Sequence, residues 1–426
     1  MALTQSIKQS YINILSEELI PAAGCTEPIA IAYAAAAAAA VLGVFPEHVE
    51  LYCSGNVIKN VKGVIVPNSG GLRGAQIAAI LGVVGGKAEK KLEVLHDLAS
   101  EQIERATMLN DDGFCSLKLA ESSSSLYIRV KLLAGRDTSE AEIEGRHTNL
   151  TCIKRNGVTV SCKASAARSI SAPITDRRCL NISDIVEFAS TVDIADIRST
   201  LERQAQYNEG ISREGMKHEY GACVGKTLLE YGEMNVRTRA AAYAAAGSDA
   251  RMNGCKLPVI INSGSGNQGI TVSLPVIEYA RSLNLDKERT LRALAVSNLV
   301  AIRQKSEIGA LSAYCGAVSA ACGSGAAITY MCTNDVKCVE NTITNTLACI
   351  SGMLCDGAKP SCAAKVAAAV NTAIMAHELT MRNRGFHSGE GIVKADVEAT
   401  ISGVCRIARE GMRETDTEIL DLMIQN

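Results

Sequence analysis

The chain contains no tryptophan, four phenylalanines and only 4% aromatic residues in all, so it lacks the ring surface on which nucleic-acid bases stack. It also lacks a basic excess. Its 43 Lys and Arg stand against 45 Asp and Glu, a formal net charge of −2, and that balance argues against a nucleic-acid partner. Glycine and proline, 35 and 8 of 426 residues, are too few for a collagen-like or low-complexity chain. Long apolar runs are missing too. Ile29 to Val44, with alanine at every position from Ala34 to Ala40, falls short of the roughly 18 residues that read as membrane-spanning. It is expected to form a buried, closely packed helix, with no membrane partner. Met1 to Ile20 carries a single Lys8 and no continuous apolar core, unlike a secretory signal, which points to the cytoplasm.

What is present is a 47% hydrophobic chain long enough for about two or three domains. Ile7, Tyr11, Ile14, Leu15 and Leu19 recur at helical spacing, and Pro21 ends that helix. Strands are expected at His48–Cys53 and Gly63–Val66, and a helix from Leu72 to Val84. Alternation between Leu126 and Cys162, with an Asn156-Gly157 turn, predicts a small antiparallel sheet. From Ile182 onward helical periodicity dominates, apart from Leu257 to Ile261. The fold class expected is therefore α+β, with a mixed region over 1–170 and a mostly helical region over 171–426. The boundary falls near Ser165 to Arg178. Ala32 to Ala36 before Asn68-Ser69-Gly70, and Ala242 to Ala246 before Asn262-Ser263-Gly264, form a faint internal echo that alanine bias alone can produce.

Two glycine-rich turns suggest anion sites. Gly264-Ser265-Gly266-Asn267-Gln268-Gly269 matches the dinucleotide fingerprint, but no strand with an acidic end follows at the spacing a ribose site needs. What survives is a turn whose free N–H groups suit a carboxylate or phosphate, or serve a purely structural turn. Asn68-Ser69-Gly70-Gly71-Leu72-Arg73-Gly74 repeats the arrangement and adds a guanidinium for bidentate carboxylate binding, unless Arg73 merely caps a surface helix. Ser263 to Asn267 also resembles the carboxylate loop of pyridoxal-phosphate amino-acid dehydratases, but no Schiff-base lysine segment accompanies it.

Sixteen cysteines in a chain of this kind read as buried apolar side chains, metal ligands or reactive thiols rather than a disulfide framework. Cys315 and Cys322, and Cys355 and Cys362, form two i,i+7 pairs. Their spacing fits neither paired zinc ligands nor a ferredoxin run, so a cluster is one reading among several. Cys25, in Gly24-Cys25-Thr26-Glu27-Pro28, sits at a helix start, where the dipole is expected to favour a thiolate; a buried structural cysteine is the alternative.

Together, Gly24 to Pro28, Asn68 to Gly74 and Gly352 to Lys359 resemble the iron–sulfur L-cysteine desulfidases over nearly the whole chain. The C-terminal half, with Cys315 to Val318 and Cys355 to Gly357, is also similar to the α-domain of oxygen-sensitive L-serine dehydratases. The resemblance implies a [4Fe–4S] cluster on Cys315, Cys355 and Cys362, with Cys322 a rival for the third position and Cys25 as base or additional ligand. It further implies elimination of sulfide from L-cysteine to leave pyruvate and ammonia. Asn68, Ser69, Gly70, Gly71 and Arg73, with Ser263, Gly264, Ser265, Gly266, Asn267 and Gln268, would bind the substrate. The alternatives are an L-serine dehydratase using the same cluster and a cluster-free amino-acid-binding or regulatory protein. A homo-oligomer is left open.

Overall fold

The computed structural model describes residues 3–122, 124–162 and 175–424. The first stretch supplies α1 (Gln5–Glu18), β1 (Pro21–Ala23), α2 (Thr26–Leu42), β2 (His48–Cys53), α3 (Gly55–Val61), α4 (Ala75–Gly85) and α5 (Ser100–Asp111). Strands β3 (Cys115–Leu119), β4 (Tyr127–Ala134), β5 (Asp137–Glu144), β6 (Leu150–Arg155) and β7 (Val158–Cys162) follow. Next come α6 (Ile182–Thr191), α7 (Ile194–Lys217), α8 (Val224–Tyr231), α9 (Val236–Met252), β8 (Pro258–Ile260), α10 (Gly266–Ser282) and α11 (Lys287–Ile308). The chain continues through α12 (Gly316–Thr333), α13 (Val336–Ile350), α14 (Cys362–Met381), α15 (Val397–Arg406) and α16 (Arg413–Ile424). The protein is α+β, and no helix among the described residues is long and apolar enough to cross a membrane.

Six strands form one sheet in the order β3-β2-β4-β5-β6-β7. All neighbours are antiparallel except β2 and β3, whose parallel register sets Val49 opposite Cys115. Ile128, Val130, Leu132, Ala141 and Ile143 alternate inward from β4 and β5, as the period of two requires, and α2 lies against this face. Ser139 Oγ donates to Ala38 O at 2.8 Å, tying sheet to helix. Alanine lets α2 take a close neighbour on its other side: a Cβ on Gly82 of α4 would stand 2.3 Å from Ala32 O.

Two sequence expectations change here. Gly63 to Val66 makes no strand, only the isolated bridge Ile65↔Arg73, because Pro67 and the left-handed Asn68 and Gly70 turn the chain at once. The following helix begins at Ala75 rather than Leu72, since Gly74 has φ +107°. Residues 163–174, which include most of the expected boundary, lie outside the described residues.

A second, two-stranded sheet positions the site. β1 pairs antiparallel with β8, Pro21 opposite Ile260 and Ala23 opposite Pro258, so the segments leading into α2 and α10 spring from one small sheet. One buried apolar cluster runs from Tyr11 and Leu51 to Leu294, Val318 and Ile401. At the far end α16 packs on α3, where Asp416 pairs with the buried Lys59 and accepts from Asn56 Nδ2 at 3.2 Å.

Candidate active site

Cys25 caps α2 from an extended backbone, and Gly24 before it is left-handed at φ +55°. A Cβ on Gly24 would fall 2.2 Å from the Pro67 ring, so the Asn68 turn backs this segment. Thr26 Oγ1 donates to Gly264 O at 3.0 Å, joining the Cys25 segment to the turn before α10. Across from them an antiparallel bridge, Tyr314↔Leu354, sets Cys315 beside Cys355; Cys315 N donates to Met353 O at 3.0 Å and Cys355 N to Ala313 O at 2.6 Å. Cys362 opens α14. Gly357 allows the loop between, since at φ +93° it packs where a Cβ would stand 2.3 Å from Lys59 O.

These segments enclose a cavity of about 100 Å³ lined by Cys25, Glu27, Asn60, His147, Arg251, Lys305, Cys315, Cys355, Cys362 and Lys365. Ser263, Gly264, Ser265, Asn267 and Gln268 line it as well, and Gly266 begins α10 directly behind. A chamber of about 360 Å³ adjoins it and shares His147, Ser263, Gly264, Lys305 and Ala310. Asn68, Ser69, Gly70, Gly71 and Arg73 line neither space. Asn68 Nδ2 donates to Leu95 O at 3.2 Å, Ser69 Oγ to Leu72 O at 3.2 Å and Arg73 Nη1 to Gly63 O at 2.8 Å. Arg73 is thus spent on the bridge that closes its own turn. Cys322 lies in mid-helix on α12 with its thiol toward Ile343 O, away from the cavity.

The electrostatics correct one expectation. Cys25 is a thiol, with its pKa well above the ordinary value: burial penalises the thiolate and the Glu27 carboxylate repels it, against an opposing pull from Arg251. The helix dipole loses to a carboxylate in contact, since Cys25 Sγ donates to Glu27 Oε2 at 3.0 Å. Burial pushes Glu27 up, but His147 and the Cys25 hydrogen bond prevail and hold it at about 2. Its Oε1 accepts from Asn60 Nδ2 at 3.1 Å and lies 3.4 Å from His147 Nε2. Cys355 is the opposite case. A hydrogen bond from Cys315 lowers it to about 6 despite burial, helped by the Lys59 and Lys365 charges and the Gly357 amide. Cys315 is raised by that same bond and by burial, and Cys362 is raised by burial.

Among the described residues, no three His, Cys, Asp or Glu side chains converge as ligands of a single metal ion would. A cluster asks for something else, because each cysteine binds its own iron and the sulfurs stand apart. Cys315, Cys355 and Cys362 meet that requirement chemically, as soft donors on one cavity with lysines nearby to balance thiolate charge. Asn60 Oδ1, Arg251 Nε, Asn267 Oδ1 and Gln268 Oε1 are buried there without hydrogen-bond partners, so a polar guest suits the walls. Sequence reasoning had not assigned Glu27, Asn60, His147, Arg251, Lys305 or Lys365. The available signal was slight: Glu27 stands two residues from Cys25, and Lys305 follows the apolar run Leu299 to Ile302.

Residues 89–421 match the family described as serine dehydratase alpha chain. The chain is 50% identical over 417 residues to a UPF0597 protein of Lachnoclostridium phytofermentans, covering 98% of this chain and 99% of that one. It is 46% identical to a UPF0597 protein of Treponema denticola over the whole of both chains. A UPF0597 protein of Desulfitobacterium hafniense is 45% identical over 98% of this chain and 96% of its own. The family match takes in Lys305, the Ser263–Gln268 turn and the three cavity cysteines of the C-terminal half, while Cys25 and Glu27 precede it. The chain belongs to the serine dehydratase alpha-chain family.

Proposed function

We propose that this protein is a [4Fe–4S]-dependent L-cysteine desulfidase, a lyase that eliminates sulfide from L-cysteine. The observation that carries this reading is the meeting of Cys25 with Cys315, Cys355 and Cys362 on one buried cavity, from segments about 290 residues or more apart in the chain. Family membership supports the coarser statement, a lyase or dehydratase acting on an amino acid. Held by Cys315, Cys355 and Cys362, the cluster supplies a Lewis-acidic iron with affinity for the substrate sulfur.

The chain's own residues supply the remaining work. The start of α10 leaves its first amides unpaired, since Gly269 N is the first to bond back, to Ser265 O. They receive the substrate carboxylate. Cys25 accepts the Cα proton. It rests protonated and hydrogen-bonded to Glu27 Oε2 at 3.0 Å, so it must lose that proton before it can serve as base. His147 and Asn60 hold that carboxylate in position. As Cα–H breaks toward Cys25, the Cβ–S bond breaks with its electron pair on sulfur, leaving 2-aminoacrylate. That product tautomerises and hydrolyses to pyruvate and ammonia. The buried walls keep water from the reacting carbon, and the fixed turn orients the substrate.

A second reading, dehydration of L-serine, is favoured by the description of the matching family. The test is anaerobic purification with iron and labile-sulfide analysis, then sulfide release from L-cysteine against pyruvate release from L-serine. Faster turnover of cysteine is expected. Faster turnover of serine would transfer the assignment to the second reading, and a protein without iron that turns over neither would leave a cluster-free binding protein.

A further inference from the structure

Two buried cations face the inner cavity without an acidic partner. Lys305 is 6% exposed and Arg251 4%. Among the described residues the Lys305 ammonium makes no hydrogen bond or ion pair, and the Arg251 guanidinium reaches only Met252 Sδ, at 4.0 Å, with Nε unpaired. The other buried cations among the described residues are matched: Lys59 by Asp416, Arg303 by Glu307 and Glu398. An uncompensated guanidinium inside a protein is costly, so its persistence marks a place where an anion docks.

Position separates the two. Lys305 lines the outer chamber as well as the inner cavity, whereas Arg251 lines the inner cavity and not the chamber. Arg251 lines the same cavity as Cys25, and the adjoining Met252 belongs to one buried apolar cluster with that thiol. The guanidinium also lies against the start of α10, where a Cβ on Gly266 would stand 2.2 Å from Arg251 Nε. Arg251 therefore lies against the amides proposed to receive the carboxylate and faces the cavity shared with the thiol proposed to take the Cα proton. In an α-amino acid the carboxylate is bonded to Cα, so a substrate with Cα at Cys25 brings its carboxylate to this guanidinium.

Resting on the elimination reading above, we propose that Arg251 is the specificity-determining clamp for the substrate α-carboxylate, closing it against the first amides of α10. The same clamp selects α-amino acids over thiols or amines that lack the acid group. Arg73, the guanidinium that the sequence suggested for this task, is engaged elsewhere.

The experiment compares the anaerobically reconstituted wild-type enzyme with Arg251→Met, Arg251→Lys, Gly266→Ala and Lys305→Met. Each is titrated calorimetrically with 3-mercaptopropionate, which has the thiol and carboxylate, and with cysteamine, which has the thiol and amine. Arg251→Met should weaken 3-mercaptopropionate binding by about 30-fold or more and cysteamine binding by no more than about threefold, the selective loss of a charge-assisted pair. Arg251→Lys should recover part of the loss at unchanged iron content. Gly266→Ala, which removes no charge but crowds the guanidinium, should show the same selectivity and covers the case in which Arg251→Met fails to fold. Equal weakening of both ligands, unchanged binding of 3-mercaptopropionate, absence of such binding in the wild type, or the same selective loss in Lys305→Met would each overturn the clamp. Sulfide release from L-cysteine by the same wild-type sample is a separate readout. Its absence alongside a selective Arg251 effect would refute the desulfidase reading and leave the clamp standing.

Discussion

Cys25 and Cys355 line one cavity, the first buried and the second half-buried, yet one is held as a thiol and the other is drawn toward the thiolate. Cys25 has Glu27 beside it from its own stretch; Cys355 has Cys315 and Lys365 from the α12–α14 stretch and Lys59 from α3. Burial penalises both thiolates, so the sign of the neighbours decides. A proton-carrying sulfur suits acid–base work, and an anionic one suits a soft metal. Under the proposed function Cys25 handles the Cα proton and Cys355 holds iron, so chemically identical side chains would do different work.

The severest way to break it is to remove the ligand wall. Cys315→Ser, Cys355→Ser and Cys362→Ser should each lose stable iron and sulfide, and lyase activity with them, while far-ultraviolet circular dichroism is retained. Cys322→Ser should keep its iron; loss of iron there together with retention in Cys362→Ser would exchange the two roles. Next is Cys25→Ala, expected to retain iron and bind cysteine but turn over on the order of 10²–10⁴-fold more slowly, the range for a lost proton-transfer group. Substantial turnover in that variant would remove Cys25 from the chemistry. A cluster spectrum altered before substrate is added would instead make it a resting ligand.

Glu27→Gln sharpens the contrast by neutralising the group that sets Cys25 apart. Turnover should fall by about 10–100-fold. Stability should change in a pH-dependent way as well. Glu27 is held at about 2 in the fold against 4.5 ordinarily, so its contribution is full above pH 4.5 and is lost as pH falls from there toward 2. The share at stake is on the order of 3 kcal/mol. Denaturation midpoints of the metal-free protein across that window should slope less steeply in Glu27→Gln than in the wild type, and parallel slopes would contradict the account. The smallest effect belongs to Arg73→Ala. With its guanidinium on Gly63 O, KM and kcat should stay within about twofold of wild type, as for an exposed side chain outside the site; a large rise in KM alone would bring that turn back into substrate binding.

How far the sequence could be read depended on the range of the interactions involved. Helical spacing in α1, the alanine run of α2 and the alternation of β4 are local patterns, and they emerge where expected. Cys25 and the cysteines at 315, 355 and 362 stand out through motifs. The twin turns mislead because their local chemistry is the same: Asn68-Ser69-Gly70 and Asn262-Ser263-Gly264 both begin left-handed bends, and only the second lines the cavity. What separates them is the pairing of β1 with β8, a contact between residues 21–23 and 258–260 that no window of sequence displays. His147, Arg251 and Lys305 were hidden for the same reason. Each comes from a different element, and nothing near it in the chain marks it as facing a shared space. The Cys25 thiolate expectation failed by weighing the helix end without the Glu27 carboxylate two residues on.

The contact between α16 and the cavity wall bears on the order of assembly during synthesis. Lys59 donates to Cys355 O at 3.2 Å and is neutralised by Asp416, which follows it by 357 residues. Until the ribosome has released that later stretch, Lys59 lacks this counter-charge. The ion pair behind the Cys355 loop is therefore completed only after translation has passed Asp416, when the protein folds back on its own beginning.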